Sequence, residues 1–139
     1  MVLLDTHTLL WVFGDNENLS EKAIHALDTQ ERCVSIASLW EIAIKKNLTD
    51  PKRRLYLEMS VSEIADECAR QGIEILPITP ADCERIGSLP HIHEDPFDRV
   101  IMAQALERGI SLVTRDEHIW KYNTNLNLNF NHLAVSFPT

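Results

Sequence analysis

Val2-Leu3-Leu4-Asp5-Thr6-His7-Thr8-Leu9-Leu10-Trp11-Val12-Phe13-Gly14 is the stretch on which the fold turns. Val2 to Asp5 reads as a short buried strand that closes on a carboxylate. Thr6 to Phe13 then reads as a helix, ended by Gly14. The alternation continues outward. Asn18 to Gln30 carries Leu19, Ala23, Ile24, Ala26 and Leu27 on one helical face, with Ser20 as its cap. Arg32 to Ile36 is a second strand and Ser38 to Lys46 a helix. Asn47 to Leu57 holds Asp50-Pro51 and Lys52-Arg53-Arg54 and reads as a polar connection. Ser62 to Arg70 is a helix capped by Ser60 or Ser62 and stopped by Gly72.

Ile73 to Ile78 is a third strand, Pro80 to Gly87 a short helix, and Leu89 to Glu94 a loop. Pro96 to Arg108 is a long helix with Gly109 at its C-cap. Ser111 to Thr114 is a fourth strand and Leu133 to Phe137 a fifth. The Asn-rich run Asn123 to Asn131 reads as a surface loop or a ragged strand edge. Strand–helix alternation throughout argues for an α/β sandwich with a mostly parallel central sheet. No repeat, low-complexity tract or linker divides residues 1–139, so one domain is expected.

Four acids stand out against this pattern: Asp5, Glu41, Asp98 and Asp116. Each lies in or at the end of an apolar run, where an isolated charge is costly. In open parallel sheets, sites form beyond the carboxyl ends of the strands. Asp5 and Asp116 follow the first and fourth strands, Asp98 opens a helix feeding the fourth, and Glu41 lies in the helix after the second. Two carboxylates about 5 Å apart repel by roughly 3 kcal/mol at an effective dielectric near 20. A hard divalent cation would relieve that repulsion and could activate water against a phosphodiester. The pattern therefore points to a metal-dependent nuclease.

Each acid also has a structural reading. Asp5 can cap the helix that begins at Thr6. Glu41 can pair with Lys45 at i,i+4 spacing. Asp95 before Pro96 has the signature of a cap, which leaves Asp98 near the third helical position, where the helix dipole favours it. Asp116 before Glu117 can cap a short helix. The coincidence of all four is what favours a shared site. Thr114 can bring a hydroxyl to Asp116. His91 and His93 have no third partner and suit a supporting role. Trp11, Trp40 and Trp120, at apolar spacings, are expected in the core, with base-stacking platforms as the alternative. Lys45, Lys46, Lys52, Arg53 and Arg54 form a basic cluster, a solvated face by default and an RNA phosphate contact as the alternative.

The formal net charge of −8 argues against broad nucleic-acid affinity. It also suits docking of a basic partner segment. No apolar stretch is long enough to span a bilayer, and the N-terminus carries no basic region with a cleavage site. Cys33, Cys68 and Cys83 have no CxxC spacing, which suits free thiols in a reducing cytoplasm. GxSxG, HExxH, P-loop and GxGxxG motifs are absent, and Asp5-Thr6-His7-Thr8 lacks the second Asp of a phosphatase loop.

With those residues in place, the chain resembles PIN-domain ribonucleases of the VapC toxin type over nearly its whole length. The carriers are Leu3-Leu4-Asp5-Thr6-His7, Ser38-Leu39-Trp40-Glu41-Ile42, Leu89-Pro90-His91-Ile92-His93-Glu94-Asp95-Pro96-Phe97-Asp98-Arg99 and Thr114-Arg115-Asp116. The resemblance implies a three-layer α/β/α PIN fold, dependence on Mg²⁺ or Mn²⁺, and endonucleolytic cleavage of RNA. Asp5, Glu41, Asp98 and Asp116 match its acidic quartet, and Asp95 matches a further motif position. A homodimer and a small antitoxin covering the groove are implied as partners. A non-catalytic binding module for RNA or protein, and a nuclease acting on DNA, remain open on the sequence.

Overall fold

The computed structural model describes residues 1–14, 16–91, 94–116, 119 and 133–136. His93, Trp120, the 123–131 run and Phe137 lie outside the described residues. Five strands and six α-helices alternate among those described. They run β1 Val2–Leu4, α1 Thr6–Gly14, α2 Glu21–Thr29, β2 Arg32–Ser35, α3 Ile36–Lys46, α4 Val61–Arg70, β3 Ile73–Leu76, α5 Pro80–Ser88, α6 Pro96–Arg108, β4 Ser111–Thr114 and β5 Leu133–Ser136. The strands form one parallel sheet in the order β3-β2-β1-β4-β5.

Strand alternation splits the apolar residues between two faces. Val2, Leu4, Val34 and Val113 join one buried cluster with Leu9, Ala23, Leu39, Ile42 and Ile64, so α1 to α4 cover that face. Leu3, Cys33 and Leu112 join a second cluster with Leu89, Ile101, Met102 and Ala105, so α5 and α6 cover the other. The result is the expected three-layer α/β/α sandwich.

Caps set most boundaries. Ser60 and Glu63 form a reciprocal capping box that starts α4. Asp95 caps α6, with Pro96 at its first position, and Gly109 ends it at φ 62°, a left-handed conformation that favours glycine. One boundary differs from the sequence reading in a way that matters. Ser35 is both the last residue of β2 and the cap of α3, its hydroxyl accepting from the Ala37 N–H at 3.0 Å. The helix therefore starts at Ile36, two residues earlier than the pattern suggested, and Glu41 stands nearly two turns into it. The expected Asn18–Gln30 helix is, by contrast, shorter. A 3₁₀ turn at Asn16–Asn18 precedes the Ser20 cap, which starts α2 at Glu21.

Register fixes where the site must be. Leu4 pairs with Val34 on one side and with Val113 on the other. Asp5, Ser35 and Thr114 consequently emerge side by side at the carboxyl rim. From β1 the chain order runs outward to β2 and β3 in one direction and to β4 and β5 in the other. The β1/β4 boundary is thus the topological switch point, where crevices open in such sheets.

Candidate active site

Asp5 satisfies its structural and its functional reading together. Its N–H donates to the Val113 carbonyl at 3.2 Å, continuing the β1–β4 ladder. Oδ1 accepts the Thr8 N–H at 2.8 Å and caps α1, while Oδ2 accepts the Thr114 hydroxyl at 2.5 Å. Thr114 Oγ1 in turn accepts the Asp116 N–H at 3.0 Å. One buried hydroxyl therefore couples Asp5 to the backbone of Asp116. Burial pushes the Asp5 carboxyl above its ordinary pKa, and the hydrogen bonds from Thr114 and Thr8 only temper that rise.

Glu41 reaches the same rim from α3 and is buried. Its Oε1 accepts the Thr6 hydroxyl at 2.5 Å, and Thr6 shares a 3.0 Å hydrogen bond with Ser38. Its Oε2 pairs with Lys45, as the i,i+4 spacing suggested. Burial opposes the Lys45 charge, yet the Glu41 hydrogen bond and the fields of Glu41, Asp95 and Asp98 outweigh it and raise its pKa. Lys45 thus belongs to the acidic site.

Asp98 shows that the acids share one field. Asp95 holds the start of α6, its Oδ1 accepting the N–H groups of Phe97 at 2.9 Å and Asp98 at 3.4 Å. Burial raises the Asp98 carboxyl, and Asp95, Asp116, Glu41 and Asp5 each raise it further, to about 8. Groups on β1, α3, α6 and the end of β4 are therefore close enough to oppose the same negative charge. Among the described residues, no three His, Cys, Asp or Glu side chains stand together in a ready grip for an ion. Asp5 and Glu41 are instead turned onto neighbouring hydroxyls, Lys45 and the Thr8 N–H.

The basic cluster does not form one stripe. Lys45 faces the acids, and Lys46 donates to the Met59 carbonyl. Lys52, Arg53 and Arg54 are exposed, with the Arg54 guanidinium 5.8 Å from the Tyr56 ring centre. The expectation of a core tryptophan fails for Trp40, which is 57% exposed. It shares an exposed α3 face with Ile36 and Ile44, opposite the buried Leu39 and Ile42, and meets Phe97 edge-on at 5.0 Å. Trp11 is half-buried, and His91 is exposed.

Other residues were not singled out by the sequence. Thr6 and Ser38 orient Glu41, and their spacing one helix apart left no local signal. Arg99 is buried and donates to the carbonyls of Pro90, Ile86 and Leu89 at 2.9, 3.1 and 3.0 Å, tying the end of α5 to α6. A concavity of about 450 Å³ opens beside the acids, lined by Asp5, His7, Trp11, Arg115 and Asp116. A larger one of about 700 Å³, lined by Ile78, Thr79, Pro80, Cys83, Glu84 and Gly87, contains none of the four acids.

The PIN domain profile matches residues 2–124. The chain belongs to the PIN domain family. The resemblance to PIN-domain ribonucleases of the VapC toxin type is borne out. Ribonuclease VapC22 of Mycobacterium tuberculosis (strain ATCC 25618 / H37Rv) is 31% identical to this PIN domain over 120 residues, 85% of this chain and 88% of that protein. Among solved structures, the toxin-antitoxin complex from Klebsiella pneumoniae matches with a TM-score of 0.59 at 18% identity, covering 100% of both chains. VapBC2 from Rickettsia felis bound to a DNA fragment from their promoter matches at 0.61 and 13% identity, covering 88% of this chain and 93% of that one. These structural likenesses concern the fold.

Proposed function

We propose that this PIN domain is a divalent-metal-dependent endoribonuclease, the toxin of a toxin–antitoxin pair, with Asp5, Glu41, Asp98 and Asp116 as the groups that hold Mg²⁺ or Mn²⁺. The observation that carries the reading is the Asp98 carboxyl, pushed to about 8 by burial and by the acids around it. A site in which like charges suppress one another's ionisation is a site that gains from a cation. The donors fit: all four are carboxylates, the oxygen ligands that hard divalent ions take. The chemistry such an ion supplies when bound is polarisation of a phosphodiester and activation of water near neutral pH.

The chain's own residues prepare that site. Thr8 and Thr114 hold the two Asp5 oxygens in fixed directions. Thr6 does the same for Glu41. Asp95 fixes the first turn of α6 and so the placement of Asp98. Lys45 neutralises part of the charge and stands where an RNA phosphate would approach. Lys46, the last residue of α3, and Arg53 and Arg54 on the connection that follows are secondary phosphate contacts. Hydrolysis here adds water to phosphorus and releases the leaving oxygen without a covalent enzyme intermediate.

The partners follow from the same reading. Ribonuclease VapC22 supports RNA as the substrate, and the toxin–antitoxin complexes support a small antitoxin as the inhibitor. Ile36, Trp40 and Ile44 are exposed at i, i+4 and i+8 on α3, and this stripe beside Phe97 supports a homodimer. The deciding experiment is cleavage of matched single-stranded RNA and DNA oligonucleotides with Mg²⁺ or Mn²⁺. The wild type should cut RNA, and Asp5→Asn should not, although Asn keeps an oxygen for the α1 cap. Full cleavage by Asp5→Asn would reject the assignment, and preferential cutting of DNA would reject the substrate.

A further inference from the structure

We propose that the concavity beside Asp5 and Asp116 is a nucleobase subsite, in which His7, Trp11 and Arg115 hold a base of single-stranded RNA next to the scissile phosphate. The proposal rests on the nuclease reading and adds to it the groups that grip the substrate. The three non-acidic residues lining this cleft of about 450 Å³ all carry flat π systems. His7 and Trp11 lie one turn apart on α1, with ring centres 5.8 Å apart and planes within 29°. The Arg115 guanidinium carbon lies 5.7 Å from the Trp11 ring centre, on the segment that leads from β4 to Asp116. Atoms in close contact are about 3.5–4.0 Å apart. Near-parallel rings centred 5.8 Å apart are therefore offset or separated, and part of each face stays uncovered.

Composition explains why stacking matters here. The chain carries a net charge of −8, and the acids in the same cleft repel a polyanion. The chain as a whole offers a polyanion no net attraction, so contacts to the bases add to those of the local basic residues. Proteins that bind single strands stack bases on aromatic rings and on Arg planes, a contact tolerant of base identity. Arg115 contributes both a stacking plane and the positive charge in this lining. Its Nη1 also donates to Asn18 Oδ1 at 3.4 Å, which steadies it beside Trp11. Trp11 is half-buried while His7 and Arg115 are exposed, so the indole is the most enclosed of the three.

The test uses binding without metal as well as turnover. In a Trp40→Phe, Trp120→Phe protein, whose melting temperature is checked first, Trp11 is the sole tryptophan. Titrating it in EDTA with a single-stranded RNA hexamer should quench its emission saturably, with a shallow dependence on salt. In the otherwise unaltered chain, Trp11→Ala should raise KM for RNA roughly ten- to hundredfold. It should change kcat by less than about threefold. Trp11→Phe should recover most of the loss, and Arg115→Ala should fall between. An RNA-cleaving protein whose Trp11 emission ignores the hexamer and whose KM is unmoved by Trp11→Ala would overturn the subsite and leave the nuclease reading intact. Saturable quenching in the single-tryptophan protein, with a wild type that cuts no RNA, would overturn the nuclease reading while base binding in this cleft stands.

Discussion

Removing the charge of Asp98 should stabilise the metal-free protein at pH 8. Its carboxyl moves from 3.8 to about 8 on folding, through burial first and then through Asp95, Asp116, Glu41 and Asp5. Between those values the native state keeps a proton that the unfolded chain has lost. Stability must therefore fall as pH rises through that window. At about 1.4 kcal/mol per pH unit, the loss between pH 5 and pH 8 reaches roughly 4 kcal/mol in full. Solvent screening at this open rim reduces it to about 2 kcal/mol. Asp5, also raised by burial, adds in the same direction. Asp98→Asn forfeits helix-dipole stabilisation of only about 0.3–1 kcal/mol, so relief of repulsion wins. Urea unfolding in EDTA at pH 5 and pH 8 is the assay. Wild type should lose stability between the two, and Asp98→Asn should be flatter and more stable than wild type at pH 8. A wild type no less stable at pH 8, or an Asp98→Asn protein weakened there, would refute the idea that these carboxyls crowd one another.

Three further substitutions probe the supports. Thr114→Val keeps the shape but removes the buried hydroxyl between Asp5 and the Asp116 N–H. It should cost about 1.5–3 kcal/mol in a thermal melt and sharply lower RNA cleavage. Asp5→Ala loses the α1 cap that Asp5→Asn keeps, so the two inactive variants should differ by about 1 kcal/mol in stability, and equal melting would deny the capping role. Arg108→Ala should cost about 3 kcal/mol while leaving cleavage by the folded protein unchanged. It strands Asp82, which is fully buried and accepts from Arg108 at 2.7 and 3.2 Å. Burial raises the Asp82 pKa, but Arg108, the Thr79 N–H and Gln104 outweigh it and hold it below the ordinary value. That contribution is present above pH 3.8 and lost as pH falls through the depressed pKa, so urea midpoints at pH 7 and pH 3 should separate it from the Asp98 effect.

The sheet was legible because its signals are local. Short apolar runs ending in Asp5 and Thr114, with caps at Ser20, Ser60 and Asp95, declare themselves within a few residues. The acids were legible as charges in apolar places. Contacts that depend on tertiary placement were less so. Whether Asp5 caps α1 or serves the rim looked like a choice on sequence, and the structure gives one oxygen to each. Trp40 misled because an apolar stripe with Ile36 and Ile44 looks like core, whereas α3 buries its other face through Leu39 and Ile42. Lys45 and Arg53 seemed to form one basic cluster because they are near in sequence. The helix carries Lys45 to the acids and the following connection leaves Arg53 exposed. Thr6, Ser38 and Arg115 lie inside the quoted motif segments, but their individual contacts exist only where β1, α3 and β4 meet.

Titration of Mn²⁺ against the wild type and against Asp5→Asn, Glu41→Gln, Asp98→Asn and Asp116→Asn, read by the paramagnetic signal of the free ion, addresses most directly whether these four carboxyls act as one cation site. The expected result is saturable uptake by the wild type that each single substitution weakens at least about tenfold, a loss of about 1.4 kcal/mol. Undiminished Mn²⁺ uptake by all four variants, or none by a correctly folded wild type, would contradict it.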